Sequence, residues 1–350
     1  MAKLWRKTRD GNNKSKIQDV DLSTLRIDKP SLIYLSGFFT QDSTPQYIRA
    51  SLKNTEDLLA NCPGAGAPVD VYAWSHEGLK DVFNLTAYSI RPGSRACPAV
   101  RKLAAGVIMP LVAKDFKVDS KGKVSGTPLP LDEAKKNLRN ITLFGYSAGS
   151  ITAQECFNAS LQMMQDIGYK EKDAREALSE VVYIGVGVMS RPAREKNRFT
   201  SLFLEATNDK IVRLKNRLWA PLRAIFAHFA NKLKIEPICD NGCIITAAVA
   251  KKNWEFRMRN GETVKEKVKS LLPKWMLLKS YHELPRYVTQ DEELSPFAKM
   301  VHYGLANAVA RKGPLDPLSL LEPPPGTDDK TAAAYREKIA KAYVKPKKPK

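Results

Sequence analysis

Residues 141–157 read Ile-Thr-Leu-Phe-Gly-Tyr-Ser-Ala-Gly-Ser-Ile-Thr-Ala-Gln-Glu-Cys-Phe. The first five form a short apolar run that ends on a glycine, the signal of a buried strand. The stretch 148–167 reads as a helix. Between them stands Gly145-Tyr146-Ser147-Ala148-Gly149, a G-x-S-x-G motif in a strand–turn–helix context. A serine on so sharp a turn projects its hydroxyl above the sheet. Bulky side chains two residues to either side would strike the neighbouring strand and helix. Gly145 and Gly149 remove that clash, and Ala148 is small for the same reason. The N-terminus of the helix offers N–H groups and a partial positive charge to an oxyanion forming above the turn.

Working outward, the same alternation recurs. Residues 31–36 (SLIYLS), 69–74 (VDVYAW), 181–188 (VVYIGVGV), 201–206 (SLFLEA) and 275–279 (WMLLK) are further short apolar runs. Helical spacing is expected over 47–59, 99–113 and 296–311, and a loop over 118–130. Short strands separated by helices predict an α/β fold, a mostly parallel central sheet with helices on both faces. In such sheets sites form at the carboxyl ends of the strands. Residues 1–28 are expected to form a basic N-terminal arm with at most one short strand. Residues 29–312 are expected to form the core. Residues 313–350 are expected to form a Pro/Lys-rich C-terminal tail, in which a short helical stretch precedes a disordered end.

On the residues of its turn, the chain resembles the α/β-hydrolase family of serine esterases and lipases over about residues 30–310. The resemblance implies a nucleophile, an acid and a histidine in that chain order. Ser147 is then the nucleophile. His282, just past the run WMLLK, is the expected base, ahead of His76, His302 and His228. Asp209, three residues past the run 201–206, is the expected acid, with Glu205 as the alternative. The competing readings are that Asp209 caps a following helix and that His282 is a loop histidine doing the same. The expected oxyanion donors are the backbone N–H groups of Ala148 and Phe38, the latter in the loop Ser36-Gly37-Phe38-Phe39.

Asp209 and His282 lie 73 residues apart, which implies an insertion, expected at about 211–272. Residues 211–234 place apolar side chains at 211, 214, 218, 222, 225, 229 and 233, a helical period. Arg213, Lys215, Arg217, Arg223, Lys232 and Lys234 occupy the other faces, and Pro221 kinks the stretch. This is the pattern of a cap helix, of a lid over an acyl pocket, or of a helix lying on an anionic membrane. Residues 242–270 read as a hairpin with Asn260-Gly261 at its turn. The resemblance implies that this insertion roofs the substrate pocket.

Composition bounds the rest. Of 350 residues, 43% are hydrophobic, enough for a large core, and the net charge of +20 favours anionic partners. The basic N-terminus has no apolar stretch behind it, and no run reaches the eighteen or so apolar residues of a membrane span. A cytoplasmic or peripheral membrane location is therefore expected. The five cysteines show no CxxC pair, so no metal site is expected. The motifs of dinucleotide binding, P-loops and sequence-specific nucleic-acid binding are absent, and no cofactor is expected. The expected activity is hydrolysis of a small-molecule or lipid ester. The alternative is a non-catalytic scaffold of the same fold that binds an anionic membrane or another polyanion.

Overall fold

The computed structural model describes residues 3–9, 15–37, 69–75, 97–188, 199–206, 243–247, 288, 298–313, 315 and 319–342. Four strands come first: β1 (Lys3–Arg9), β2 (Ser15–Val20), β3 (Ser31–Leu35) and β4 (Asp70–Ser75). Helices α1 (Pro98–Val107) and α2 (Met109–Val112) lead to a hairpin, β5 (Ala113–Val118) and β6 (Val124–Pro128). Then follow α3 (Leu131–Leu138), β7 (Ile141–Tyr146), α4 (Gly149–Asp166), α5 (Glu171–Leu178), β8 (Val182–Val186), β9 (Thr200–Ala206) and β10 (Cys243–Ala247). The 3-10 turn Ser319–Leu321 lies between α6 (Ala298–Ala310) and α7 (Asp329–Ala342).

Eight of these strands form one sheet in the order β10-β9-β8-β7-β3-β4-β1-β2. The run from β10 to β4 is parallel throughout. β1 joins it antiparallel to β4, and β2 closes the edge antiparallel to β1. The chain is thus mixed α/β with a mostly parallel sheet, as its alternating pattern predicts.

Successive side chains of a strand point to opposite faces, and here both faces are buried. Ile33 and Leu35 of β3, Leu143 of β7 and Tyr183 of β8 join one core cluster with Val100, Leu103, Leu138, Phe157 and Leu178 from α1, α3, α4 and α5. Leu32, Tyr34, Phe144, Ile184 and Leu204 face the other way, onto Val301 and Leu305 of α6, Leu320 and Tyr335. Two covered faces explain why the strands read as continuous apolar runs rather than as an alternation.

At the amino ends of the strands, Arg311, just past α6, clamps the sheet. Its guanidinium donates to the Thr142 hydroxyl at 2.9 Å, the Ile141 carbonyl at 2.6 Å and the Glu180 carbonyl at 3.1 Å, and to the Ala308 carbonyl. Arg139 makes a two-pronged ion pair with the buried Glu180 carboxylate beside it, at 3.0 and 3.2 Å.

Several elements differ from the sequence expectations. The N-terminal arm supplies two sheet strands, with Leu4 1% exposed, because pairing with β4 covers apolar side chains that polar neighbours disguise. The helix expected over 99–113 breaks after Val107, and Pro110 opens the next turn, where a ring without an N–H cannot continue the first helix. The loop expected over 118–130 contains β6 and the end of β5, which turn tightly around Asp119: its carboxylate accepts the Lys121 and Lys123 amides at 2.9 and 2.8 Å. The helical stretch expected in the tail is α7, but it packs onto the core, with Tyr335 3% exposed. Residues 243–247, expected in a hairpin of the insertion, extend the main sheet parallel to β9. The remainder of the insertion and the strand expected at 275–279 lie outside the described residues.

Candidate active site

Only Ser147 and Ala148 separate the last residue of β7 from the first of α4. To turn the chain in so little space, Ser147 adopts φ +54°. This is the left-handed region, which costs a residue with a Cβ roughly 1–2 kcal/mol and persists only where surrounding structure enforces it. The enforcement is visible. The Ser147 amide donates to the Val186 carbonyl at the end of β8, 3.0 Å away. The Ser147 carbonyl accepts from the Ser150 amide at 3.1 Å and from the Ser150 hydroxyl at 2.7 Å. The Ala148 carbonyl starts the helical ladder through the amides of Ile151 and Thr152.

Both motif glycines stand where a side chain has no room. A Cβ on Gly149 would lie 2.2 Å from the Leu35 carbonyl oxygen, and one on Gly145 would lie 2.5 Å from the Tyr183 hydroxyl. A neighbouring strand and helix are the obstacles expected from the sequence; both obstacles found belong to strands, the end of β3 and a tyrosine of β8.

The turn sits at a switch point of the sheet. β3 and β7 are neighbours, yet β3 is followed in the chain by β4 on one side, and β7 by β8 on the other. Sheets of this kind bind ligands outside the carboxyl ends of two such strands. Gly37, two residues past β3, packs against the serine: a Cβ there would come within 3.0 Å of the Ser147 Cβ. The β3 loop therefore reaches the turn at the residue before Phe38, and Phe38 itself lies outside the described residues. Ala148 is fully buried at the head of α4, where unpaired N–H groups and the helix dipole favour negative charge. Ser147 is 6% exposed.

The remaining expected residues divide as follows. Ser147, Ala148, Gly145 and Gly149 form one turn. β9 runs parallel to β8 and β7 and ends at Ala206, on the same edge of the sheet as Ser147; Asp209 follows three residues later in the chain, outside the described residues. His282, His76 and His228 also lie outside them, as does the side chain of Glu205. His302 is 9% exposed on α6, and its Nε2 lies 3.3 Å from the Val288 carbonyl oxygen. Burial holds its pKa below the usual imidazole range, and the Val288 contact opposes that only in part.

Three contributors to the turn were not singled out from sequence. The Ser150 hydroxyl was legible as a polar residue in the first helical turn. Val186 acts through its carbonyl and Tyr183 through its position beneath Gly145, and neither leaves a sequence signal. No group of three or more His, Cys, Asp or Glu is arranged to hold a metal among the described residues. No helix among them is long and apolar enough to cross a membrane. No protein-family model matches the chain, and no curated protein matches it in sequence.

Proposed function

We propose that the protein is a serine hydrolase of the α/β-hydrolase type, which cleaves a carboxylic ester through an acyl-enzyme on Ser147. The observation that carries this reading is the left-handed backbone of Ser147, at the carboxyl end of a central parallel strand and the head of an 18-residue helix. Backbone strain at a serine, held by hydrogen bonds with Val186 on one side and Ser150 on the other, is the form a nucleophile turn takes. The switch point between β3 and β7 is where sheets of this kind bind their ligands.

In this reading the Ser147 hydroxyl attacks the ester carbonyl as His282 accepts its proton, and Asp209 holds the imidazole. The oxyanion is met by the N–H groups of Ala148 and Phe38. The imidazolium then protonates the leaving alcohol. Water, activated by the same histidine, releases the acid and restores the serine. The basic amphipathic stretch at 211–234 favours a lipid or other hydrophobic acyl chain as substrate.

A fluorophosphonate probe tests the reading directly. Wild-type protein is expected to label covalently, and Ser147→Ala is not. A folded wild type that fails to label would sink it in favour of a non-catalytic scaffold for a polyanion. Among p-nitrophenyl esters of graded length, an optimum above about eight carbons with activation at an interface is expected for a lipid substrate.

A further inference from the structure

The turn that carries Ser147 rests on a side chain from the neighbouring strand. Gly145 and Gly185 are register partners on β7 and β8. A Cβ on either would meet the same atom, the Tyr183 hydroxyl oxygen, at 2.5 Å from Gly145 and 2.6 Å from Gly185. Tyr183 precedes Gly185 by two residues, so its ring leaves the same face of β8. The side chain therefore lies along the sheet towards its carboxyl edge and fills the space of two absent side chains. It is 2% exposed and stacks edge-on against Phe203 with ring centroids 5.8 Å apart. Together with Ser150, Ala153 and Phe157 it lines a depression beside the first turns of α4.

Its hydroxyl has no hydrogen-bond partner among the described residues. An unpaired buried hydroxyl is a cost to the fold, so the volume and rigidity of the ring are what the site uses. The residue after Gly185, Val186, accepts the Ser147 amide. β8 thus holds the strained serine twice, through a carbonyl at the turn and through a ring under the strand that leads into it.

We propose that Tyr183 is a positioning residue for Ser147: its ring is a wedge beneath Gly145 and Gly185 that sets the height of the turn against α4 and the β3 loop. This rests on the reading of Ser147 as the nucleophile. A ring that merely filled core volume would change stability and leave the reactivity of the folded enzyme alone. A wedge makes reactivity depend on the ring and hardly on its hydroxyl.

The test is the rate of fluorophosphonate labelling per folded molecule, read beside thermal unfolding and the kcat and KM for a p-nitrophenyl ester. Tyr183→Phe keeps the ring and is expected to label within twofold of wild type. Tyr183→Leu is expected to label at least tenfold more slowly, with kcat falling and KM little changed. Adding Gly145→Ala to Tyr183→Leu returns a methyl group to the vacated space and is expected to recover part of the rate, whereas Gly145→Ala alone lowers it. Should Tyr183→Leu fail to fold, Gly185→Ala, which pushes on the ring end from the other strand, is expected to slow labelling at least tenfold. Wild-type labelling rates in Tyr183→Leu, or in Gly185→Ala where it takes that variant's place, would overturn the proposal. So would a Tyr183→Phe variant as slow as Tyr183→Leu. An unlabelled wild type removes the nucleophile, and this role with it; a labelled wild type beside an unaffected Tyr183→Leu removes the role of Tyr183 alone.

Discussion

The α-carbon of Gly149 lies against the backbone carbonyl of Leu35, so closely that a Cβ there would be 2.2 Å from the oxygen. The obstacle is main chain, so no rotamer change relieves it. α4 approaches β3 closely enough to place the serine at the switch point only because residue 149 has no side chain. Gly149→Ala is therefore expected to lose at least about 1–3 kcal/mol of stability, the usual cost of overpacking, and to label with fluorophosphonate more than tenfold more slowly. Urea denaturation and labelling of the folded fraction check both. An unchanged Gly149→Ala would mean that the two elements are not so tightly apposed.

The strain at Ser147 has a stability signature. Both Ser147→Ala and Ser147→Gly are expected to abolish labelling, but they differ in stability. At φ +54° alanine retains the steric penalty of a Cβ and glycine does not, so the glycine variant is expected to be the more stable by about 1 kcal/mol. In an ordinary helix or strand the order would be reversed. Equal midpoints in a denaturant titration would argue against a strained backbone here.

Arg311 separates fold from site. It binds at the amino ends of β7 and β8, the opposite end of β7 from Ser147. Arg311→Leu strands several buried acceptors, and a loss of about 2–4 kcal/mol is expected from at least two unsatisfied groups. Arg311→Lys is expected to recover only part of this, since an ammonium cannot reproduce the planar fork. The labelling rate of the fraction that stays folded is expected to match wild type. A large change in that rate would show the two ends of the sheet to be coupled.

Two buried groups give stability opposite dependences on pH. Glu155 of α4 is 6% exposed, and burial raises its pKa above the usual carboxyl value of about 4.5, opposed by its hydrogen bond to Asn158. The folded chain then holds a proton that the unfolded chain releases, so this contribution is full below about 4.5 and is lost as pH rises. Glu155→Gln is expected to gain on wild type between pH 4.5 and 7.5. His302 has its pKa lowered by burial from about 6.5. The unfolded chain takes up a proton that the folded ring refuses, so stability falls as pH drops below about 6.5. His302→Gln is expected to flatten that decline between pH 7.5 and 5.5. Chemical denaturation across this range reads both slopes, and parallel curves for variant and wild type would contradict either assignment.

How far the sequence was legible depended on how local each signal was. The strand, turn and helix around Ser147 were readable because G-x-S-x-G states a steric requirement in consecutive residues. The apolar runs of β3, β4, β8 and β9 were readable because strands covered on both faces carry no polar alternation. β1, β2 and the β5–β6 hairpin escaped because their residues are mostly polar, and β1 gains its burial from a partner far along the chain: Leu4 is covered only once it lies opposite Trp74. The second face of α7 was hidden for the same reason, since Tyr335 meets Tyr303 across 32 positions of sequence.

The sequence by itself determined that a serine stands on a glycine-flanked turn between a buried strand and a helix, because each of those properties is set by neighbours in the chain. Only the tertiary structure decided what presses on that turn: the Leu35 carbonyl against Gly149, Gly37 against the serine, Val186 on the serine amide and Tyr183 beneath Gly145. These contacts join residues between 38 and 114 positions apart, and strand order in the sheet, which no local pattern encodes, is what brings them together.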